Sequence, residues 1–135
     1  MKDDRECQTV KWKMKYDGAP TWRECDLAGF RLSDSQIQVV LIEVQTHERE
    51  VSDGNSEGPK QAKNYTNYAN EVWLFSLAEI PVIVMEDANQ SGYGLARMIS
   101  DPEENSFDIQ VIQDPQINSN QNLPLQNWYN SRLVL

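Results

Sequence analysis

Residues 10–16 read Val10-Lys11-Trp12-Lys13-Met14-Lys15-Tyr16, apolar and basic in strict alternation. A period of two puts Val10, Trp12, Met14 and Tyr16 on one face of a strand and Lys11, Lys13 and Lys15 on the other. The pattern predicts a sheet with one buried face. Asp17-Gly18-Ala19-Pro20 reads as a turn and Thr21 to Cys25 as a short return strand, so a β-meander begins here. From Gln36 to His47, Val39, Leu41 and Glu43 share one face while Val40, Ile42 and Val44 share the other. Apolar residues on both faces place this strand in the middle of the sheet or between two layers.

The period stops at Glu48. Ser52-Asp53-Gly54-Asn55-Ser56-Glu57-Gly58-Pro59 has the chemistry of a loop, and Lys60 to Asn70 reads as a short helix or as more loop. Loops this long in a small domain are usually binding elements or disordered excursions. Three more strands are predicted over Glu71 to Leu77, Pro81 to Glu86 and Tyr93 to Ser100, with Pro81 at the first position of its strand. Asp101-Pro102-Glu103-Glu104-Asn105 then turns the chain into Ser106 to Gln113, where Phe107, Ile109 and Val111 alternate with polar residues. Consecutive strands joined by short turns are antiparallel. The expected fold is therefore mainly β, an antiparallel meander forming a small sandwich or barrel, with room for one short helix near residues 60–70.

At 135 residues the chain fits one domain with a sizeable core. Residues 1–113 are read as a single β-rich domain that carries the long loop 48–70, and residues 114–135 as a C-terminal extended arm. Asn, Gln, Pro and Ser fill the arm as far as Asn127, after which Trp128, Tyr129, Leu133, Val134 and Leu135 supply an apolar anchor. Burying that anchor on the arm's own domain or on a neighbour offsets part of the entropy of ordering the arm.

Charge sharpens this picture. The net charge of −9 is split unevenly: residues 1–32 carry +1 and residues 33–135 carry −10. An acidic surface repels phosphate, so direct binding to nucleic acid or anionic lipid is not expected. Apolar runs such as Val39 to Ile42 fall far short of the roughly 20 residues of a membrane helix. Met1-Lys2-Asp3-Asp4-Arg5-Glu6 has no apolar stretch of a secretory signal, so the expected location is the cytoplasm or a virion rather than export by a signal peptide. In such a compartment Cys7 and Cys25 are expected as free thiols.

Candidate chemistry is sparse. Asp53-Gly54-Asn55-Ser56-Glu57-Gly58 resembles the opening of a calcium loop, but the position that needs a bidentate Glu is Asn64. Cys25 lies between Glu24 and Asp26, which raise rather than lower a thiol pKa. His47 is followed by Glu48 and Glu50 and reads as a solvated strand-end residue. One His and two Cys do not make up a zinc site of the usual composition. Glu86-Asp87 and Asp101/Glu103/Glu104 supply carboxylates for a glycosidase-like pair, yet Glu86 and Asp87 as neighbours on a strand point to opposite faces, and the turn acids read as solvated. Gly92-Tyr93-Gly94 lacks the rest of a phosphate-binding motif and reads as a turn with Tyr93 exposed or half-buried. No catalytic residue, cofactor or metal ligand is assigned.

The resulting expectation is a non-enzymatic assembly subunit that joins copies of itself or other subunits through the long loop and the arm. Its interface candidates are Lys11, Lys13, Lys15, Trp128, Tyr129, Leu133, Val134 and Leu135. A lysine face meeting the acidic surface of the next copy gives a head-to-tail contact, the arrangement of rings and tubes. Phage neck, tail, baseplate and capsid-cement proteins are built this way, an analogy of architecture alone. The lysines equally suit a guarded edge strand. The alternative is a small acidic inhibitor, an immunity-type or nucleic-acid-mimic protein that covers a basic partner. A hydrolase using Glu86, Asp87 and His47 comes last.

Overall fold

A computed structural model describes residues 9–12, 15–16, 23–24, 27–33 and 36–119, with side chains over 27–29 and 38–119. Among the described residues there are eight strands: β1 Thr9–Trp12, β2 Lys15–Tyr16, β3 Arg23–Glu24, β4 Leu27–Ser33, β5 Gln36–Gln45, β6 Glu71–Ser76, β7 Gly94–Asp101 and β8 Ser106–Gln113. A 3-10 turn, Glu48–Val51, and helix α1, Glu57–Tyr65, separate β5 from β6, and helix α2, Val82–Ser91, separates β6 from β7.

The fold is mainly β, as the alternation predicts. Six strands form one sheet in the order β1-β4-β5-β6-β7-β8, and β2 pairs with β3. Among the described residues β1 and β8 are the outer strands, so the sheet is open and the barrel is not formed. At the two flanks the pairing is antiparallel, as expected for a meander: β1 with β4, β4 with β5, and β7 with β8. The centre departs from that expectation, because β5, β6 and β7 run parallel. Parallel neighbours need a crossover, and each of the two connections contains a helix.

The second helix is the main correction to the sequence reading. Pro81 to Glu86 is not a strand; Val82–Ser91 is helical, with Pro81 as the N-cap. The β-branched run Val82-Ile83-Val84 suggested a strand through its side-chain preference, but that preference is weak beside tertiary packing. Here Val84 and Ala88, one helical turn apart, are both fully buried against the sheet. The proline suits a helix start as well as a strand start, and Gly92 provides the stop. Gly92 has φ of +90° and its N–H donates to Ala88 O at 2.7 Å, a left-handed C-terminal cap that other residues adopt only with strain.

The stretch 48–70 is likewise regular over most of its length. Val51, Ala62 and Tyr65 are buried in the main core, so this segment is a packed layer and not a free joining loop. The helix within it falls at Glu57–Tyr65, close to the anticipated 60–70.

Both helices cover the same face of the sheet. Ala28, Val39, Leu41, Val72, Leu74 and Leu95 project from the strands into one cluster with Val51, Ala62, Tyr65, Ile80, Val84 and Ala88. The opposite face carries a second cluster of Val40, Ile42, Trp73, Phe75 and Ala96, with Leu27, Val44 and Met98 at its margin. Trp73 and Phe75 meet edge to face, their ring centroids 5.9 Å apart. The Trp73 indole N–H donates to the buried Glu71 Oε2 at 2.6 Å, which satisfies a polar atom that burial otherwise makes costly.

Of the strand read over 10–16, the described residues lie on β1 and β2. β1 belongs to the large sheet and β2 to the small one, although β1 pairs with β4 and β2 with β3 in one continuous register.

Candidate functional site

Two places concentrate unusual side chains: a polar cluster beneath α2 and an apolar stripe on β8. The polar cluster is built around Asp87. Because residues 82–91 are helical, Glu86 and Asp87 do not point to opposite faces of a strand; Asp87 turns toward the core while Glu86 stays exposed. The Lys63 ammonium of α1 donates to Asp87 Oδ1 at 3.0 Å and to Gly54 O at 2.6 Å. The Tyr93 hydroxyl donates to Asp87 Oδ2 at 2.6 Å. One carboxylate thus ties α2 to α1, to the turn before α1 and to the start of β7.

Tyr93 is fully buried, which corrects the expectation of an exposed or half-exposed ring. Burial raises its hydroxyl pKa above the ordinary value, and the hydrogen bond to Asp87 and that residue's negative charge raise it further. Tyr93 is therefore held as a neutral donor. A shallow groove of about 360 Å³ lies outside this cluster, lined in part by Asp53, Lys63, Glu86 and Asp87. Its carboxylate and ammonium already satisfy each other, and the cluster acts as a staple between elements.

The other chemical candidates are occupied with local structure. Asp53 Oδ1 accepts from Asn55 N–H at 2.8 Å, and Ser56 Oγ donates to Asp53 O at 2.5 Å, so the calcium-like turn closes on its own hydrogen bonds. Its Gly54 carbonyl already holds the Lys63 ammonium. Among the described residues no three His, Cys, Asp or Glu side chains gather as metal ligands. His47 is exposed at the head of the 3-10 turn, where its backbone N–H donates to Glu50 Oε1 at 3.1 Å.

Beyond β8 the chain crosses the sheet at the starts of β7 and β6. Gln116 N–H donates to Gly92 O at 3.0 Å and Asn118 N–H to Asn70 O at 2.7 Å. The Asn70 carboxamide accepts from Val39 N–H at 2.8 Å and donates to Asn118 O at 2.8 Å. A buried asparagine thereby joins β5, the start of β6 and the crossing segment. Pro115 lies so close to Gly94 that a Cβ there would meet the proline Cδ at 2.8 Å. A cavity of about 340 Å³ sits under this strap, among Asn70, Ser91, Gln116 and Ile117.

The apolar stripe is the feature that local structure does not use. Strand β8 alternates Phe107, Ile109 and Val111 with Asp108 and Gln110, and every residue from Ser106 to Val111 is exposed. Phe107 is 56% exposed, and Ile109 and Val111 are each 46% exposed. Their partners on β7 are Ser100, Met98 and Ala96, which continues the stripe toward the second apolar cluster. The alternation in the sequence locates this strand to the residue.

Of the predicted interface residues, Lys11 lies on β1, at one edge of the large sheet, and Lys15 on β2 of the small sheet. The guarded-edge reading needs that edge position for Lys11. Lys13, Trp128, Tyr129, Leu133, Val134 and Leu135 lie outside the described residues, as do Cys7 and Cys25. Among the described residues no helix is long and apolar enough to cross a membrane.

Among the described residues, fold and site define a mixed β-sheet with two helices on one face and an exposed apolar stripe on its outer strand β8. No protein-family model, curated protein or solved structure matches the chain.

Proposed function

We propose that this chain is a non-enzymatic assembly subunit that acts through protein–protein contact. The observation that carries the reading is the stripe Phe107, Ile109 and Val111, lying in water on an edge strand. Monomeric proteins seldom leave an ordered apolar row beside unpaired strand hydrogen-bonding groups, because the combination promotes pairing with another chain. The groups best suited to chemistry, Asp87, Lys63 and Tyr93, are spent on holding the helices to the sheet. Repeating parts of a virion, such as neck, tail, baseplate or capsid-cement proteins, are a setting in which a small β domain of this kind works. The joining role passes from the loop 48–70, which is packed into the core, to the β7–β8 hairpin.

The test is molar mass in solution by light scattering over a range of concentrations. The expected result is a mass that rises above 15.6 kDa with concentration. A single species of 15.6 kDa up to about 1 mM would sink the reading, since it limits any self-contact to about 4 kcal/mol or less. Capture of a basic protein by such a monomer, lost in high salt, would favour the acidic inhibitor instead.

A further inference from the structure

We infer that β8 pairs with β8 of a second copy of this chain, antiparallel and with Ile109 opposite its own counterpart, so that two sheets join into one. The inference rests on the assembly reading and names its partner and register.

Three observations carry it. First, β8 has the pattern of a self-complementary strand. Phe107-Asp108-Ile109-Gln110-Val111 is apolar and polar symmetrically about Ile109. A two-fold axis through Ile109 sets Phe107 against Val111, Ile109 against Ile109, and Asp108 against Gln110. Side chains of antiparallel partners at directly opposed positions lie on the same face. All three apolar residues of each copy therefore meet the apolar residues of the other, and the symmetry closes after two subunits.

Second, the charges permit this contact and few others. The chain carries −9, so two copies repel over most of their surfaces. Strand β8 holds a single charge, Asp108, and in this register it faces the neutral Gln110 instead of its own copy. Like charges directly opposite each other destabilise a strand pair, and shifting the axis to Asp108 creates that clash.

Third, β8 lacks the usual protections of an edge. It contains no lysine, arginine or proline. The register shift on the β7–β8 ladder lies at Leu95/Ala96, away from Ile109, which leaves the stripe itself regular. Over Ser106–Ile112 the backbone N–H and C=O groups on the side away from β7 alternate, and a second β8 in this register supplies partners for them.

The pairing predicts an unusual salt response. Apolar contact between two anionic chains strengthens as salt screens their repulsion, whereas a head-to-tail contact between lysines and acids weakens.

The experiment uses the full chain with Cys7 and Cys25 changed to Ser, into which Ile109→Cys or Val111→Cys is introduced. Opposed residues of an antiparallel pair have Cα atoms roughly 4.5–5.5 Å apart, within the range of a disulfide. Under a glutathione redox buffer the Ile109→Cys chain should form a covalent dimer. The Val111→Cys chain should not, because residue 111 faces residue 107 of the other copy. Ile109→Lys should weaken dimerisation by at least about tenfold, since it buries two ammonium groups against each other. Circular dichroism should show that variant folded, because Ile109 is already 46% exposed. Equal crosslinking of the two cysteine variants overturns the register. Mass that rises with concentration while Ile109→Lys has no effect and neither cysteine crosslinks overturns the β8 pairing but leaves an assembly subunit that joins elsewhere. A chain without residues 120–135 that no longer dimerises would give the edge to that segment rather than to a second β8. A monomer under all conditions removes both this pairing and the assembly reading.

Discussion

The centre of the sheet and its β7–β8 hairpin are made of similar residues used in opposite ways. In β6 every residue from Glu71 to Ser76 is buried, and buried polar groups there such as Glu71 serve as acceptors within the fold. In β8 Phe107, Ile109 and Val111, alternating with polar residues, stay in solvent, and among the described residues no helix lies over that face. Hydrophobic pattern alone therefore does not say what a strand packs against. The centre holds the molecule together, while the hairpin carries apolar area of the kind that a partner removes from water.

This contrast can be broken from either side, and the largest effect belongs to the centre. Leu74 is fully buried between β6 and the helices, and Leu74→Ala should cost about 2–5 kcal/mol in chemical denaturation. If that loss came out below about 1 kcal/mol, the helix-covered face would not be the principal core. Next comes the staple. Asp87→Ala leaves the Tyr93 hydroxyl buried without its acceptor and should cost about 2 kcal/mol, discounted because Lys63 and Asp87 retain 31% and 19% side-chain exposure. Its self-association, measured where the variant is folded, should match that of the parent chain.

A subtler effect comes from pH. Tyr93 has its folded pKa raised above the ordinary 10.0 by burial, then by the hydrogen bond to Asp87 and its charge. Below about pH 10 the phenol is protonated in both folded and unfolded chains, and its contribution is fully present. Above that value the unfolded chain releases this proton and the folded chain keeps it. Stability is then lost at up to about 1.4 kcal/mol per pH unit from this residue. Tyr93→Phe should flatten that part of the alkaline curve, and parallel curves for the two chains would show that Tyr93 is not the group responsible. The smallest effect is expected in the hairpin: Ile109→Thr should change the stability of dilute monomer by no more than about 0.5 kcal/mol while it weakens association. A large loss of monomer stability would mean that the stripe is packed against its own chain.

The strands with strong apolar patterns were legible from the sequence. Alternation locates β8 to the residue, and apolar runs bounded by polar residues locate β6 to within one residue and β5 to within two. Helix α2 was not, since Val82-Ile83-Val84 favours strands locally and only packing of Val84 and Ala88 decides for the helix. The parallel pairing of β6 with β7 was hidden for the same reason, because strands joined without a helix have to reverse. The Asp87 staple was hidden for a different reason. Its members are 24 residues apart at Lys63 and 6 apart at Tyr93, and no local period relates them. The lone aromatic between Gly92 and Gly94 was the nearest available signal.

The asparagine strap also sets a timetable for synthesis. Asn70 and Asn118 are 48 residues apart, so at roughly 5–20 residues per second the ribosome needs about 2–10 s to deliver the second after the first. Throughout that interval the strap at Asn118 is not yet made, and until β8 emerges β7 lacks that neighbour. The nascent sheet thus exposes the edge of β7 for seconds before β8 arrives to cover it.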